Sequence, residues 1–252
     1  MKTLDEAVVA SRKGAEALDM WLARNTSRIT AALSEELRDD AKKWLAGGRP
    51  DESAPRFRAA AAIFLMTGRH REAVHSNAHF AGSLYLLANA EKGYVAARDI
   101  AEMTRNQASQ VGDSATCLRM GILGADCAYW IAEHSPDPRT KARWLQLCLE
   151  EMDSATAGFA PTGAELQQYC SVAIVAFLTV DELKIKVAGS PFEHLLRSLA
   201  RATERIIPSN FEFPKDPRKT SYAAYHLARL SDTHGEPAHA KKRRAFLATR
   251  DP

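Results

Sequence analysis

The 252-residue sequence predicts an all-α protein of about ten helices packed in antiparallel pairs. Three observations support this fold class. Apolar residues recur at spacings of three and four in nearly every segment, which places them on one face of a helix. The separators between segments are short and rich in Gly and Pro. No Asn-Gly or similar pair between alternating runs indicates a β-hairpin.

Two apolar stripes predict the first two helices. Leu4, Val8, Ala15, Leu18 and Leu22 form the first stripe, and Ile29, Leu33, Leu37, Ala41, Trp44 and Leu45 form the second. Thr26 and Ser27 lie between the stripes and are natural N-cap residues for the second helix. Gly47 and Gly48, followed by Pro50, predict where that helix ends.

The rest of the chain continues the helical pattern. Further helices are predicted over residues 53–67, 70–89, 91–111, 114–134, 138–157, 163–187, 191–207 and 217–233. Residues 207–217 contain three prolines, which exclude a regular helix, and two phenylalanines, which we expect to pack back onto the body of the protein. We expect a single domain over residues 1–252, with a sub-boundary near 47–55 that would set apart residues 1–46 as a helical hairpin.

The composition predicts a hydrophobic core that is stable without disulfides, and the net charge does not by itself indicate binding to nucleic acid. Hydrophobic residues make up 46% of the chain, enough for a core without disulfides. Lys and Arg number 34 against 31 Asp and Glu, so the net charge is only +3. The basic run of Lys241, Lys242, Arg243 and Arg244 has no interleaved aromatic residue and predicts a solvated surface. Nucleic acid is expected only there or through a partner.

Cysteine usage and the apolar runs predict a cytoplasmic protein. Cys117, Cys127, Cys148 and Cys170 lie in apolar helical stretches without a CxxC pair, as reduced core residues do. The N-terminal segment is acidic at Asp5 and Glu6 where a secretory signal would be basic. The longest apolar run, residues 171–180, is about half of a bilayer-spanning helix. It predicts a buried helix or, alternatively, a strand, and no membrane partner.

A tight helical turn is predicted around Gly68. Phe57, Phe64, Gly68 and Ala73 combine a glycine for the turn with an alanine that lets the second helix approach the first. Their spacing resembles that of a tetratricopeptide repeat. Near the C-terminus Gly235 and Ala240 recur at the same offset as Gly68 and Ala73, whereas Gly112 is followed at that offset by Cys117. The resemblance implies a right-handed solenoid of stacked helix pairs, and the alternative is an irregular helical bundle.

Stacked helix pairs present a concave groove, so the resemblance implies a protein-interaction module, a scaffold or adaptor that binds a peptide or protein. The residues expected to contact this partner are Arg69, His75, Asn77, Arg98, Arg105 and Asn106. No P-loop, GxGxxG or GxSxG motif occurs, and no cofactor is expected.

Residues 68–79 also support two enzymatic alternatives. Glu72, His75 and His79 stand at helical offsets of three and four and could together hold a metal, although the Glu lies outside the His pair of a zincin HExxH motif. Arg69, His70 and His75 resemble the Arg-polar-x4-His motif of HEPN ribonucleases. That resemblance implies metal-independent RNA cleavage, with Arg69 stabilising phosphate charge and His75 transferring a proton.

Overall fold

The computed structural model describes residues 2–157, 161–206, 226, 229–230 and 233–234. Every regular element in these ranges is helical, and the ranges contain no strand. The α-helices are α1 (Lys2–Lys13), α2 (Ala15–Arg24), α3 (Ala31–Ala46), α4 (Pro50–Met66), α5 (His70–Leu87), α6 (Glu91–Gln110), α7 (Ser114–His134), α8 (Pro138–Thr156), α9 (Gly163–Glu182) and α10 (Pro191–Ile206). The predicted all-α class is confirmed, and from α4 to α8 each predicted boundary lies within three residues of the observed one.

The chain divides into two compact units, Met1–Leu123 and Gly124–Pro252, and the boundary falls inside α7. Residues 47–49 form a tight turn between α3 and α4, which pack against each other. The expected single domain with a sub-boundary at 47–55 stays a prediction.

The first apolar stripe forms two helices rather than one. The chain turns at Gly14, whose φ of 126° lies in the region that favours glycine. Arg28 then donates to the Glu6 carboxylate at 2.9 Å and to the Thr3 hydroxyl at 2.6 Å, which brings the end of α2 back to the start of α1. The first two helices therefore form a hairpin of their own.

The predicted N-cap of the helix that follows was wrong. Thr26 and Ser27 belong to a short 3-10 turn, Thr26–Arg28, and the Thr26 hydroxyl points back to the carbonyls of Leu22 and Ala23. Thr30 caps α3 instead, because its backbone is extended and its hydroxyl accepts the Leu33 N–H at 3.2 Å.

The turns before α4, α5 and α7 share one backbone design. Gly48, Gly68 and Gly112 adopt φ values of 72°, 73° and 68°. In each turn the next N–H bonds to the carbonyl five residues earlier: Arg49 to Trp44 at 3.0 Å, Arg69 to Phe64 at 2.8 Å and Asp113 to Ala108 at 2.8 Å. The same residue then accepts the first hydrogen bond of the following helix. This repetition makes the first unit repeat-like.

Replacing Gly68 or Gly112 by alanine is expected to lower the free energy of unfolding by about 1 kcal/mol, since an L-residue is strained at positive φ. An added Cβ would meet no atom within 4 Å at either position, so the cost arises from the backbone alone. Gly82→Ala, inside α5 and equally open, is the control and should stabilise the helix by up to about 1 kcal/mol. Urea unfolding followed by circular dichroism measures the three effects. If the free energy of unfolding changes in the same direction at all three positions, the positive φ at Gly68 and Gly112 does not explain the effect.

The aromatic and alanine residues around the predicted tight turn are buried in the core of the first unit. Phe57, Phe64 and Ala73 are fully buried. Phe64 and Ala73 belong to a cluster that gathers apolar residues from α1 to α5, while Phe57 packs with Phe80 in a second cluster. The aromatic and alanine positions therefore hold neighbouring helices together, as the spacing predicted.

The second unit is built on α8, α9, α10 and the end of α7. Its largest fully buried side chains include Leu145, Leu149, Met152, Tyr169 and Leu196. A Cβ on Gly124 would lie 2.4 Å from a Glu151 carboxylate oxygen, so α7 and α8 approach closely there. In the same unit, Gln168 donates to the Asp126 carboxylate at 2.9 Å.

The run at 171–180 is a buried part of α9, so the alternative of a strand was wrong. Within the described ranges, α9 is the one helix long and apolar enough to cross a membrane by length and composition, yet 56% of its most apolar 18-residue stretch is buried, as in a core helix. It ends at Glu182 rather than at 187, because Lys184 takes a φ of 49° and the Ile185 N–H closes the turn onto Val180.

The four thiols are free; Cys127, Cys148 and Cys170 are buried, and Cys117 is partly exposed. Burial raises the pKa of Cys170 to about 12 and also raises the pKa of Cys148 well above its usual value. The cytoplasmic location stays a prediction. The loop at 207–217, most of the helix at 217–233, the Gly235 and Ala240 pair and the basic run at 241–244 lie outside the described residues.

Candidate functional site

Polar side chains of α3 and α5 meet above two buried rings of α4, and we call this region the α3–α5 surface. Phe57 and Phe64 are two helical turns apart, so both rings lie on the same side of α4. The guanidinium groups of Arg38 and Arg69 lie 5.4 and 5.1 Å from the centroid of the Phe64 ring. The His79 imidazole stacks on Phe57, with centroids 4.9 Å apart and planes inclined by 15°. The surface therefore has an aromatic floor and a polar rim.

Arg69 connects α3 to the start of α5. Its guanidinium donates to the Glu35 carboxylate and, through Nε and Nη2, to Glu72 at 3.0 and 2.7 Å. Hydrogen bonds to Glu35 and Glu72 raise the pKa of Arg69, and the bond from Arg69 lowers the pKa of Glu72. Two carboxylates therefore already occupy this guanidinium.

His75 connects α5 to the turn before α7. Its Nε2 lies 2.8 Å from an Asp113 carboxylate oxygen. Asp113 also accepts the Thr116 N–H at 3.0 Å and the Thr116 hydroxyl at 2.8 Å, and so caps α7. Partial burial raises the pKa of Asp113, but hydrogen bonds from Thr116 and His75 outweigh it, and the pKa is lowered.

Asp113→Ala is expected to cost about 1 to 2 kcal/mol of unfolding free energy, because α7 loses its cap. His75→Ala should cost less than about 1 kcal/mol, since the hydrogen bond it removes is exposed. Asp137→Ala is the matched control: Asp137 caps α8 through Thr140 in the same way, with no histidine beside it. Chemical unfolding measures all three changes. If His75→Ala proves as costly as Asp113→Ala, the cap is not the main role of Asp113.

His79 is a half-buried imidazole among cations. The pKa of His79 is lowered to about 4, chiefly by burial and then by electrostatic interaction with Arg119, Lys42, His75 and Arg38 in that order. The cations Arg38 and Lys42 belong to α3, and Arg119 belongs to α7. At neutral pH the ring is uncharged and offers one hydrogen-bond donor and one acceptor.

The remaining residues predicted to bind a partner do not lie on the α3–α5 surface. Asn77 is buried, and its amide donates to Gln107 of α6 at 3.1 Å. Asn106 is exposed and lies two and a half turns from the buried Ala97, on the opposite side of α6.

Arg98 and Arg105 lie on α6 as well. Arg98 reaches Glu102 of the same helix at 3.6 Å, and the carbonyl of Arg105 accepts the Cys117 thiol at 3.5 Å. Of the six predicted residues, the structure therefore brings only Arg69 and His75 to the α3–α5 surface.

The two enzymatic alternatives receive no site from this geometry. Within the ranges that the structure describes, no three His, Cys, Asp or Glu side chains come together as a metal ion needs. Glu72 binds Arg69, His75 binds Asp113 and His79 stacks on Phe57. A phosphate would have to displace two carboxylates from Arg69. The metal and ribonuclease hypotheses stay predictions without structural support.

A second surface feature, which the sequence did not predict, is a groove of about 680 Å³ between α1 and α2. It is lined by Asp5, Glu6, Val9, Ala10, Lys13, Ala17, Met20, Trp21, Arg24 and Asn25. Val9 and Met20 are about half exposed, which is unusual for large apolar side chains that line one groove. We call this region the α1–α2 groove.

No protein-family model and no curated protein matches the chain. Among solved structures, the chain is similar to a protein described as a circular tandem repeat protein with novel repeat topology and enhanced subunit contact surfaces. The two sequences are 14% identical, the match covers 98% of this chain and 68% of that one, and the TM-score is 0.33. A similarity this low identifies no family, so the functional inferences rest on the geometry of the chain itself.

Proposed function

We propose that the chain is a protein-interaction module that holds an acidic segment of a peptide or protein partner against the α3–α5 surface. The observation that carries this proposal is His79, a neutral imidazole on an aromatic floor with cations of α3 and α7 around it. An acidic side chain of a partner can accept a hydrogen bond from such a ring while the cations offset its charge.

Two cations of α3 support an acidic partner. Arg38 and Lys42 share one carboxylate, that of Asp39, at 3.5 and 3.9 Å. Contacts of this length on an exposed surface contribute little to stability. The Lys42 side chain is 51% exposed, so it can turn towards a ligand at low cost. Because Arg38 and Lys42 have only this one distant carboxylate between them among their described ion pairs, they are suited to bind a carboxylate of a partner as well.

The helical, repeat-like architecture is consistent with this role, since proteins of stacked helix pairs commonly bind partners in their grooves. A right-handed, tetratricopeptide-like solenoid is part of the proposal, as is a scaffold or adaptor role in the cytoplasm. Catalysis is not required, because every contact invoked is a binding contact.

Selection from a random dodecapeptide phage library on the immobilised full-length protein tests the proposal. We expect acidic peptides to be enriched, and their affinity, measured by fluorescence polarisation, to fall at least about tenfold in the variant Lys42→Glu/His79→Ala. Lys92→Glu, an exposed charge reversal at the start of α6, is the control and should bind like the wild type. Peptides that bind the double variant unchanged, or a selection without acidic enrichment, would contradict the proposal.

A further inference from the structure

The exposed side of the α1–α2 hairpin carries one charge pattern twice. On α1 the pattern is Asp5, Val9 and Lys13, and on α2 it is Glu16, Met20 and Arg24. Each set has an acid, an apolar residue and a base four residues apart, so its members lie on one face of their helix. The two helices run in opposite directions, and the two apolar residues lie at the middle of the hairpin.

The residues of this pattern are exposed, whereas other charges of the hairpin are paired. Val9 is 50% exposed and Met20 49%, and both line the α1–α2 groove. The four charged residues of the pattern are exposed, and none forms an ion pair with another residue that the structure describes. Nearby charges of the same hairpin do pair: Glu6 binds Arg28, and Arg12 binds Glu52 of α4.

We propose that this face binds a second copy of the chain, so that two hairpins pack antiparallel about a two-fold axis. The axis passes between the two Val9 side chains and between the two Met20 side chains. Asp5 then faces Lys13 of the partner subunit, and Glu16 faces Arg24 of the partner subunit. Because the axis generates each contact twice, four ion pairs surround one apolar centre. The two hairpins then form a four-helix bundle.

The charge order selects this occupant. An acid–apolar–base series is complementary to a second copy of itself when the two helices that carry the series run in opposite directions; helices that run in the same direction would place like charges opposite each other. An unrelated partner would need the inverse series on two helices at the same spacing. The apolar contacts supply the affinity, and the charges fix the register. This surface is separate from the α3–α5 surface, so the inference does not depend on the proposed peptide binding.

Sedimentation velocity of the full chain over a wide concentration range tests the proposal. The wild type should show a monomer–dimer equilibrium. Met20→Glu should weaken it at least about 100-fold, because a charge enters the apolar centre. Leu86→Glu, at an apolar residue of α5 that is 61% exposed, is the control and should dimerise normally. A wild type that stays monomeric, or equal behaviour of the two variants, would overturn the proposal.

Charge exchange tests the direction of packing in variants whose fold is checked by circular dichroism. Asp5→Lys and Lys13→Asp should each weaken the dimer about tenfold at low salt, and the chain carrying both changes should recover the wild-type affinity. Failure of the double variant to recover would overturn the antiparallel arrangement. As a second measurement, Val9→Cys should give a disulfide-linked dimer under mild oxidation, since the two positions meet at the axis. A chain that stays uncrosslinked contradicts it.

Discussion

Phe64→Ala is expected to lower the free energy of unfolding by about 3 to 5 kcal/mol, the largest effect of any substitution considered for this chain. Phe64 is fully buried at the point where apolar residues of α1 to α5 meet. Its removal leaves a cavity that five helices would have to close. The guanidinium groups of Arg38 and Arg69 also lie over this ring. The substitution therefore removes the contacts that hold these two side chains on the α3–α5 surface.

Leu65→Ala is the matched control for Phe64→Ala. Leu65 is the next residue of α4, is likewise apolar and is 41% exposed. Its truncation should cost less than about 1 kcal/mol, because it removes little buried surface. Urea unfolding followed at 222 nm separates the two outcomes. Similar midpoints for both variants would show that the cluster around Phe64 is not the centre of the first unit.

The second large effect is a loss of stability as the pH falls, caused by His79. The pKa of His79 is lowered from 6.5 to about 4, chiefly by burial. Between these values the unfolded chain binds a proton that the folded chain excludes. The contribution of His79 is therefore complete above pH 6.5 and is lost as the pH falls towards 4. The shift corresponds to about 3 kcal/mol at most, and we expect about 2 kcal/mol because the ring is partly exposed to solvent.

His79→Phe isolates this effect, since it keeps the ring stacked on Phe57 and removes the titration. The groups that face His79 are Arg38 and Lys42 of α3, His75 of α5 and Arg119 of α7. All of them remain in the variant. Between pH 7 and pH 4 the stability of the variant should rise relative to the wild type by about 2 kcal/mol.

His70→Gln, which removes an exposed histidine at the first residue of α5, is the control for the acid effect. It should keep the wild-type dependence on pH. Carboxylates with lowered pKa values, such as Glu72 and Asp113, lose their contribution as the pH falls further, in all variants alike. If the stability of His79→Phe depends on pH in the same way as that of the wild type, His79 does not cause the loss of stability between pH 7 and pH 4.

The helices from α4 to α8 could be predicted because their apolar spacing and their glycine turns agree. Gly68 and Gly112 are positions where the backbone needs positive φ, and the sequence signal there is the residue itself. Gly14 requires the same kind of conformation, yet it lies inside an apolar stripe that continues across it, so the break between α1 and α2 was missed. Thr26 and Thr30 are equally good caps in sequence, and tertiary packing decides between them.

The candidate site could be predicted only where its residues lie close together in the sequence. Arg69 and His75 were found because they are close in sequence to a recognisable turn. Arg38, Lys42 and Arg119 reach the same surface from other helices, and only the folded chain brings them near His79. Helical phase also separates neighbours: Asn77 is buried although His75, two residues earlier, is half exposed.

The turns at Gly48, Gly68 and Gly112 leave the chain little freedom to change in length. In each of them a single residue both closes one helix and begins the next. One inserted residue would rotate the following helix by about 100° and turn its apolar face away from the core. Substitutions within these helices can be absorbed locally, but an insertion or deletion at these turns would misdirect a whole helix. Homologous chains should therefore differ in the composition of their helices and agree in the length of these three turns.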